Sequence, residues 1–150
     1  MKTFAALLSL TAVMGLALTT GSFAHTRSTP WSAKLTAAQE IPKQVVENTA
    51  ASGTFTGTLS GSNLKFRLTF AKLTGPATAA HIHFGATGRS GSVLAALCAP
   101  CKSPVTGTIK VGTGILQSGV QLEDFKKHLL YVNIHTAKNP NGEIRGQLGS

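Results

Sequence analysis

The chain has 150 residues, 42% hydrophobic and 13% charged, and its 14 Lys and Arg outweigh five acids for a net charge of +9. That length suits one domain, able to bury roughly two thirds of its unfolded surface without a staple. The cations fall singly apart from Lys126-Lys127, with one Trp and one Tyr in the chain. A nucleic-acid reader clusters its cations and interleaves aromatics. A solvated, colloidally stable surface is therefore the favoured meaning of the charge, with no nucleic acid as partner.

Lys2, the apolar run from Phe4 to Leu18 and the small residues Ser22 and Ala24 read as a secretory signal cleaved after Ala24. Cleavage leaves 126 residues with a net charge of +8, exported or periplasmic. The run falls short of the ~20 apolar residues of a membrane span, and the mature chain offers no other candidate. The new N-terminus would be His25, whose amine and ring could chelate copper, although an exposed arm is the simpler reading.

From Trp31 onward the apolar period is two, the signature of strands. A first strand starts at Trp31, and a loop follows from Glu40 to Ala51. Thr54 to Leu59 turns Phe55 and Leu59 inward and its threonines outward. After a Gly61-Ser62-Asn63 turn, Leu64, Phe66, Leu68 and Phe70 alternate with Lys65, Arg67 and Thr69, which predicts an antiparallel hairpin. Thr74-Gly75-Pro76 breaks the chain before a strand from Ala80 to Phe84. A glycine-rich stretch, a short strand near Val93 to Leu97 and another from Val105 to Val111 come next. The one helical candidate is Leu122 to Leu130, with Leu122, Phe125 and Leu129 on one face. The last two strands flank Asn139-Pro140-Asn141-Gly142, a strong turn signal. Seven to nine short strands argue an all-β, Greek-key sandwich with one short helix.

Cys98 and Cys101 enclose Ala99-Pro100. In an exported protein a local disulfide is the default. A thioredoxin-like redox motif would need a βαβ setting and a helix starting at the first cysteine, and neither is visible.

Two strands carry histidines. In Ala80-His81-Ile82-His83-Phe84, alternation puts Ala80, Ile82 and Phe84 on one face and His81 and His83 on the other. In Tyr131-Val132-Asn133-Ile134-His135, Val132 and Ile134 face the core, and Tyr131, Asn133 and His135 face away. If the strands are neighbours, His81, His83 and His135 form a surface cluster suited to one Cu(II) or Zn(II) with a water. Pairing across the final hairpin sets His135 beside Glu143 and Asn133 beside Arg145. Glu143 would then accept the second ring N–H of His135, with Arg145 also behind the site. The competing readings are a hydrogen-bonded polar layer that needs no ligand, and a partner-binding surface. No cofactor is certain; copper or zinc is the candidate.

The residues Ala80-His81-Ile82-His83-Phe84-Gly85, Gly88, Gly91, Leu97-Cys98, Gly107-Thr108-Ile109, Tyr131 to Thr136 and Asn139 to Leu148 resemble the CHRD domain, first named from chordin. Leu35-x-x-x-Gln39-Glu40 resembles the start of that domain. The resemblance implies an immunoglobulin-like or superoxide-dismutase-like β-sandwich, secreted and without established catalysis. In chordin the domain belongs to an extracellular antagonist of growth factors. His81-Ile82-His83 is also similar to the His-Val-His copper strand of copper-zinc superoxide dismutases. The chain departs from that pattern by lacking a downstream His and Asp cluster and a bridging His, so the likeness supports at most a mononuclear site.

Nucleophilic chemistry has little to stand on: there is no Gly-x-Ser-x-Gly elbow, and Asp124 is the single Asp. The expectation is a non-enzymatic, exported CHRD-type module binding an unknown protein or cell-surface polymer. The alternative is a copper or zinc protein, possibly redox-related, built on His81, His83 and His135.

Overall fold

The period-two pattern folds into eight strands in the computed structural model, which describes residues 28–44, 47–112 and 119–149. The strands are β1 (Thr29–Thr36), β2 (Ser52–Ser60), β3 (Asn63–Ala71), β4 (Ala77–Phe84), β5 (Val93–Cys98), β6 (Val105–Lys110), β7 (Leu130–Thr136) and β8 (Ile144–Gln147). A 3-10 turn, Ala37–Gln39, follows β1, and the helix α1 (Leu122–Lys126) precedes β7. The expected signal, its cleavage after Ala24 and the chelating role for His25 lie outside the described residues.

The β2–β3 hairpin shows why the pattern works. Phe55 pairs with Leu68 and Leu59 with Leu64 across the strands, all pointing inward, while Thr54, Thr56 and Thr58 point to water. Phe55 stacks on Phe66 at a centroid separation of 5.7 Å. The turn closes at Gly61, whose φ of +57° lies in the left-handed region that glycine enters freely.

The eight strands form one antiparallel sheet in the order β5-β4-β7-β8-β1-β2-β3-β6. Its seam between β1 and β8 is narrow, paired at Thr36 with Arg145 and through the bridge from Ser32 to Gly149. The sheet bends double there. Trp31, Phe55, Leu64 and Leu68 from one half share a single core with Ile82, Val132, Ile134 and Ile144 from the other. The edge strands β5 and β6 approach each other, so the expected sandwich is a near-barrel made of one sheet. Cys98 and Cys101 lie at disulfide distance, and the Cys101 N–H donates to the Ala77 carbonyl at the start of β4.

Two local expectations are corrected. The helix stops at Lys126 rather than Leu130, because His128 takes a φ of +54°. Its N–H donates to Phe125 O and that of Leu129 to Asp124 O, the paired bonds of a Schellman cap, and Leu130 then opens β7. On β4, Ala80 and Ile82 are fully buried, but Phe84 is 41% exposed. It is the last residue of its strand, beyond the irregularity in the β4–β5 pairing between Ile82 and His83, so the core ends before reaching it.

Deleting the Phe55 side chain should therefore be costly, and deleting its outward neighbour should not. Phe55→Ala is expected to lose about 3–5 kcal/mol of unfolding free energy in urea, and Thr56→Ala less than about 0.5 kcal/mol. Similar losses for the two would contradict the assignment of faces.

Candidate functional site

The outward face of the β4-β7-β8 half is not left to water. Register sets His81 opposite Asn133 and His83 opposite Tyr131. It also sets Asn133 opposite Arg145 and Tyr131 opposite Gln147. Cross-strand neighbours on one face touch, so these six side chains, with His135, form a continuous polar layer. The segment from Gly85 to Ser92 folds back over it. Gly91 is needed there, because a β-carbon would collide with the Phe84 carbonyl.

Side chains of the layer hold this cover in place. The Gly91 N–H donates to the Tyr131 hydroxyl at 3.1 Å, Arg145 Nη2 donates to Arg89 O at 2.7 Å, and Gln147 Nε2 donates to Gly85 O at 2.9 Å. The cluster expected at the surface is thus largely enclosed: His83 is 8% exposed, Asn133 4% and Arg145 2%. His81 and His135 sit half-buried at its edge.

The three imidazoles converge. One nitrogen from each of His81, His83 and His135 can be chosen so that all lie within 4.8 Å of one another. His81 Nδ1 is 3.1 Å from His135 Nε2. The backbone settles the tautomers of two rings, since a carbonyl can only accept. His135 Nδ1–H donates to Pro140 O at 3.0 Å, and His83 Nδ1–H donates to Gly91 O at 3.1 Å. Each therefore carries its lone pair on Nε2. His83 Nε2 is buried without a hydrogen-bond partner among the described residues, and His135 Nε2 can accept the Nδ1–H of His81.

The family described as CHRD domain matches residues 31–148. The chain belongs to the CHRD domain family. No curated protein and no solved structure matches it. Membership supports a non-enzymatic interaction module, and both histidine strands and the final hairpin lie inside the matched span.

Within the CHRD domain the expected role of Glu143 is corrected. Its carboxylate does not meet the His135 ring; Pro140 O takes that N–H instead. Gly142, at a φ of +130°, turns the chain so that Glu143 leaves the line of β8. The carboxylate accepts from Thr74 N–H, Thr74 Oγ1, Thr136 Oγ1 and Asn139 Nδ2 at 2.6 to 3.2 Å. Burial pushes this carboxyl up, and the hydrogen bonds from Thr136, Thr74 and Asn139 outweigh it, holding it below the usual carboxylate value. Arg145 joins the layer by stacking. Its guanidinium carbon is 3.5 Å from the centroid of the Tyr131 ring, and Tyr131 lies almost parallel to His83 with centroids 4.8 Å apart.

Burial lowers the pKa of all three histidines below 6.5, so they are neutral at pH 7, the state in which imidazole binds a metal. Glu40 is the residue that no local pattern announces as part of the layer. It is 1% exposed, and its Oε2 accepts from Asn133 Nδ2 across 93 residues of sequence. The family-like Gln39-Glu40 pair was the one signal pointing at it. Burial raises its pKa from 4.5 to about 7, against the opposing pull of Asn133 and Arg145.

A carboxyl whose pKa is higher folded than unfolded contributes stability that is present below pH 4.5 and lost as pH rises through about 7. Glu40→Gln should remove that dependence. Between pH 4.5 and 8 the variant is expected to gain up to roughly 3 kcal/mol on the wild type in urea unfolding. A stability difference that stays flat across this window would contradict a buried, proton-holding Glu40.

Proposed function

We propose that this CHRD domain is a non-enzymatic module that holds one transition-metal ion, Zn(II) or Cu(II), between His81, His83 and His135. The observation that carries the reading is the pair of backbone-pinned rings. Metal-bound histidines usually donate their other N–H to a carbonyl or carboxylate, which fixes the tautomer and aims the lone pair. His83 and His135 already have that arrangement through Gly91 O and Pro140 O. Two nitrogens at about 2.1 Å from a tetrahedral zinc stand about 3.4 Å apart, and the His81–His135 contact of 3.1 Å is close to that spacing.

A metal would take the place of the His81–His135 hydrogen bond, with His81 moving its proton to the other ring nitrogen. Three nitrogen donors leave one position for water or a partner's donor atom. The polar-layer reading shares every contact but the metal, because the same hydrogen bonds also fix strand register and the covering segment. What favours the metal is His83 Nε2, a buried acceptor with no donor among the described residues.

Calorimetric titration should show uptake of about one equivalent of Zn(II) or Cu(II), with a raised melting temperature. His83→Ala should weaken uptake at least tenfold. Equal uptake by the His81, His83 and His135 triple alanine variant would place any binding elsewhere and end the proposal.

A further inference from the structure

Lys34, Lys65, Arg67 and Lys110 stand far apart in sequence, yet the sheet gathers them on one face. Strand pairing sets Lys34 opposite Thr54, and Thr54 opposite Thr69. It sets Thr56 opposite Arg67 and Thr58 opposite Lys65. Arg67 in turn faces Thr106, Lys65 faces Thr108, and Asn63 faces Lys110. The four cations are exposed, and so are Thr54, Thr56, Thr58, Thr106 and Thr108 between them.

With strands about 4.8 Å apart and residue pairs rising about 6.7 Å, the cations follow a diagonal track. Its steps are about 12 Å from Lys34 to Arg67, about 7 Å to Lys65 and about 8 Å to Lys110, or about 25 Å end to end. No acid shares the face. Glu40 and Glu143 are buried, Glu47 and Glu123 pair with Lys138 and Lys126, and Asp124 lies on α1. Among the described residues none of the four cations is in an ion pair. At the Lys34 end, Lys34, Thr54 and Thr69 border a surface hollow of about 350 Å³.

We infer that this face is a docking surface for a linear acidic polysaccharide carrying about one carboxylate per sugar. Charge complementarity along the track supplies attraction, and the planar fork of Arg67 suits a carboxylate. The threonine rows supply hydroxyls for hydrogen bonds to sugar hydroxyls, and the hollow gives one ring a seat. Nucleic acid fits less well. A duplex presents a charge every ~1.7 Å of its axis, far denser than the track, and among the described residues the face has no exposed aromatic for a single strand to stack on. The face belongs to β1, β2, β3 and β6, the half of the sheet without the histidines, so this inference stands apart from the metal reading.

The test is binding of the full chain to immobilised alginate oligosaccharides at low and physiological ionic strength. The Lys65→Gln/Arg67→Gln/Lys110→Gln triple variant should lose at least tenfold in affinity and show a flatter salt dependence. Lys43→Gln/Lys102→Gln/Lys127→Gln, with the same net charge and exposed cations elsewhere, should lose less than about threefold. Arg67→Gln alone, expected to lose about threefold, serves if the triple variant folds poorly. Equal loss in the two triple variants would reduce the effect to net charge and overturn the proposal. So would the absence of binding by the wild type, or tighter binding of duplex DNA or anionic vesicles through the same three residues.

Discussion

The Glu143 carboxylate is the joint on which the histidine face depends. It is fully buried and takes hydrogen bonds from three separate segments: Thr74 before β4, Thr136 at the end of β7, and Asn139 in the turn to β8. A buried carboxylate is costly unless its lone pairs are filled, and here donors surround it. By tying the entry of β4 to the exit of β7, it sets the strands that bear His81, His83 and His135 side by side. The turn it anchors also holds Pro140, whose carbonyl orients the His135 ring. Glu143 thus acts on the site through the backbone and not through the imidazole.

The two faces of the β4-β7-β8 half obey different physics. One buries Ile82, Val132, Ile134 and Ile144 against the other half in an ordinary apolar core. The other buries imidazole, phenol, amide, guanidinium and carboxyl groups, with the segment from Gly85 to Ser92 bonded to His83, Tyr131, Arg145 and Gln147. Most of these groups are satisfied, but Glu40 Oε1, His83 Nε2, Asn133 Oδ1 and Arg145 Nη1 have no partner among the described residues. Unfilled polar atoms concentrated in one layer cost stability. A scaffold alone would gain from replacing these groups with apolar ones.

Much of this was legible in the sequence, and the reasons are local. Alternation and the Gly61 turn were enough for the β2–β3 hairpin, and the Asn139 to Gly142 turn was enough for the Asn133–Arg145 register. The facing of His81, His83 and His135 away from the core followed from period two alone. What the sequence hid is non-local or depends on backbone dihedrals. Register alone places Glu143 beside His135, but the dihedral at Gly142 carries it elsewhere. Glu40 reaches Asn133 from a loop 93 residues away. The burial of the histidines depends on a loop folding back, which composition does not announce. The basic track was invisible for the opposite reason: its cations look scattered until strand pairing aligns them.

Backbone carbonyls hold His83 and His135 as neutral Nδ1–H tautomers, which leaves the lone pair of each ring on Nε2. Long-range ¹H–¹⁵N correlation spectra of the imidazoles in the metal-free protein at pH 7 test it most directly. The account predicts protonated Nδ1 and unprotonated Nε2 for both rings, with the Nε2 resonances shifting when one equivalent of Zn(II) is added. Nε2–H tautomers, or doubly protonated rings, at His83 and His135 would contradict it.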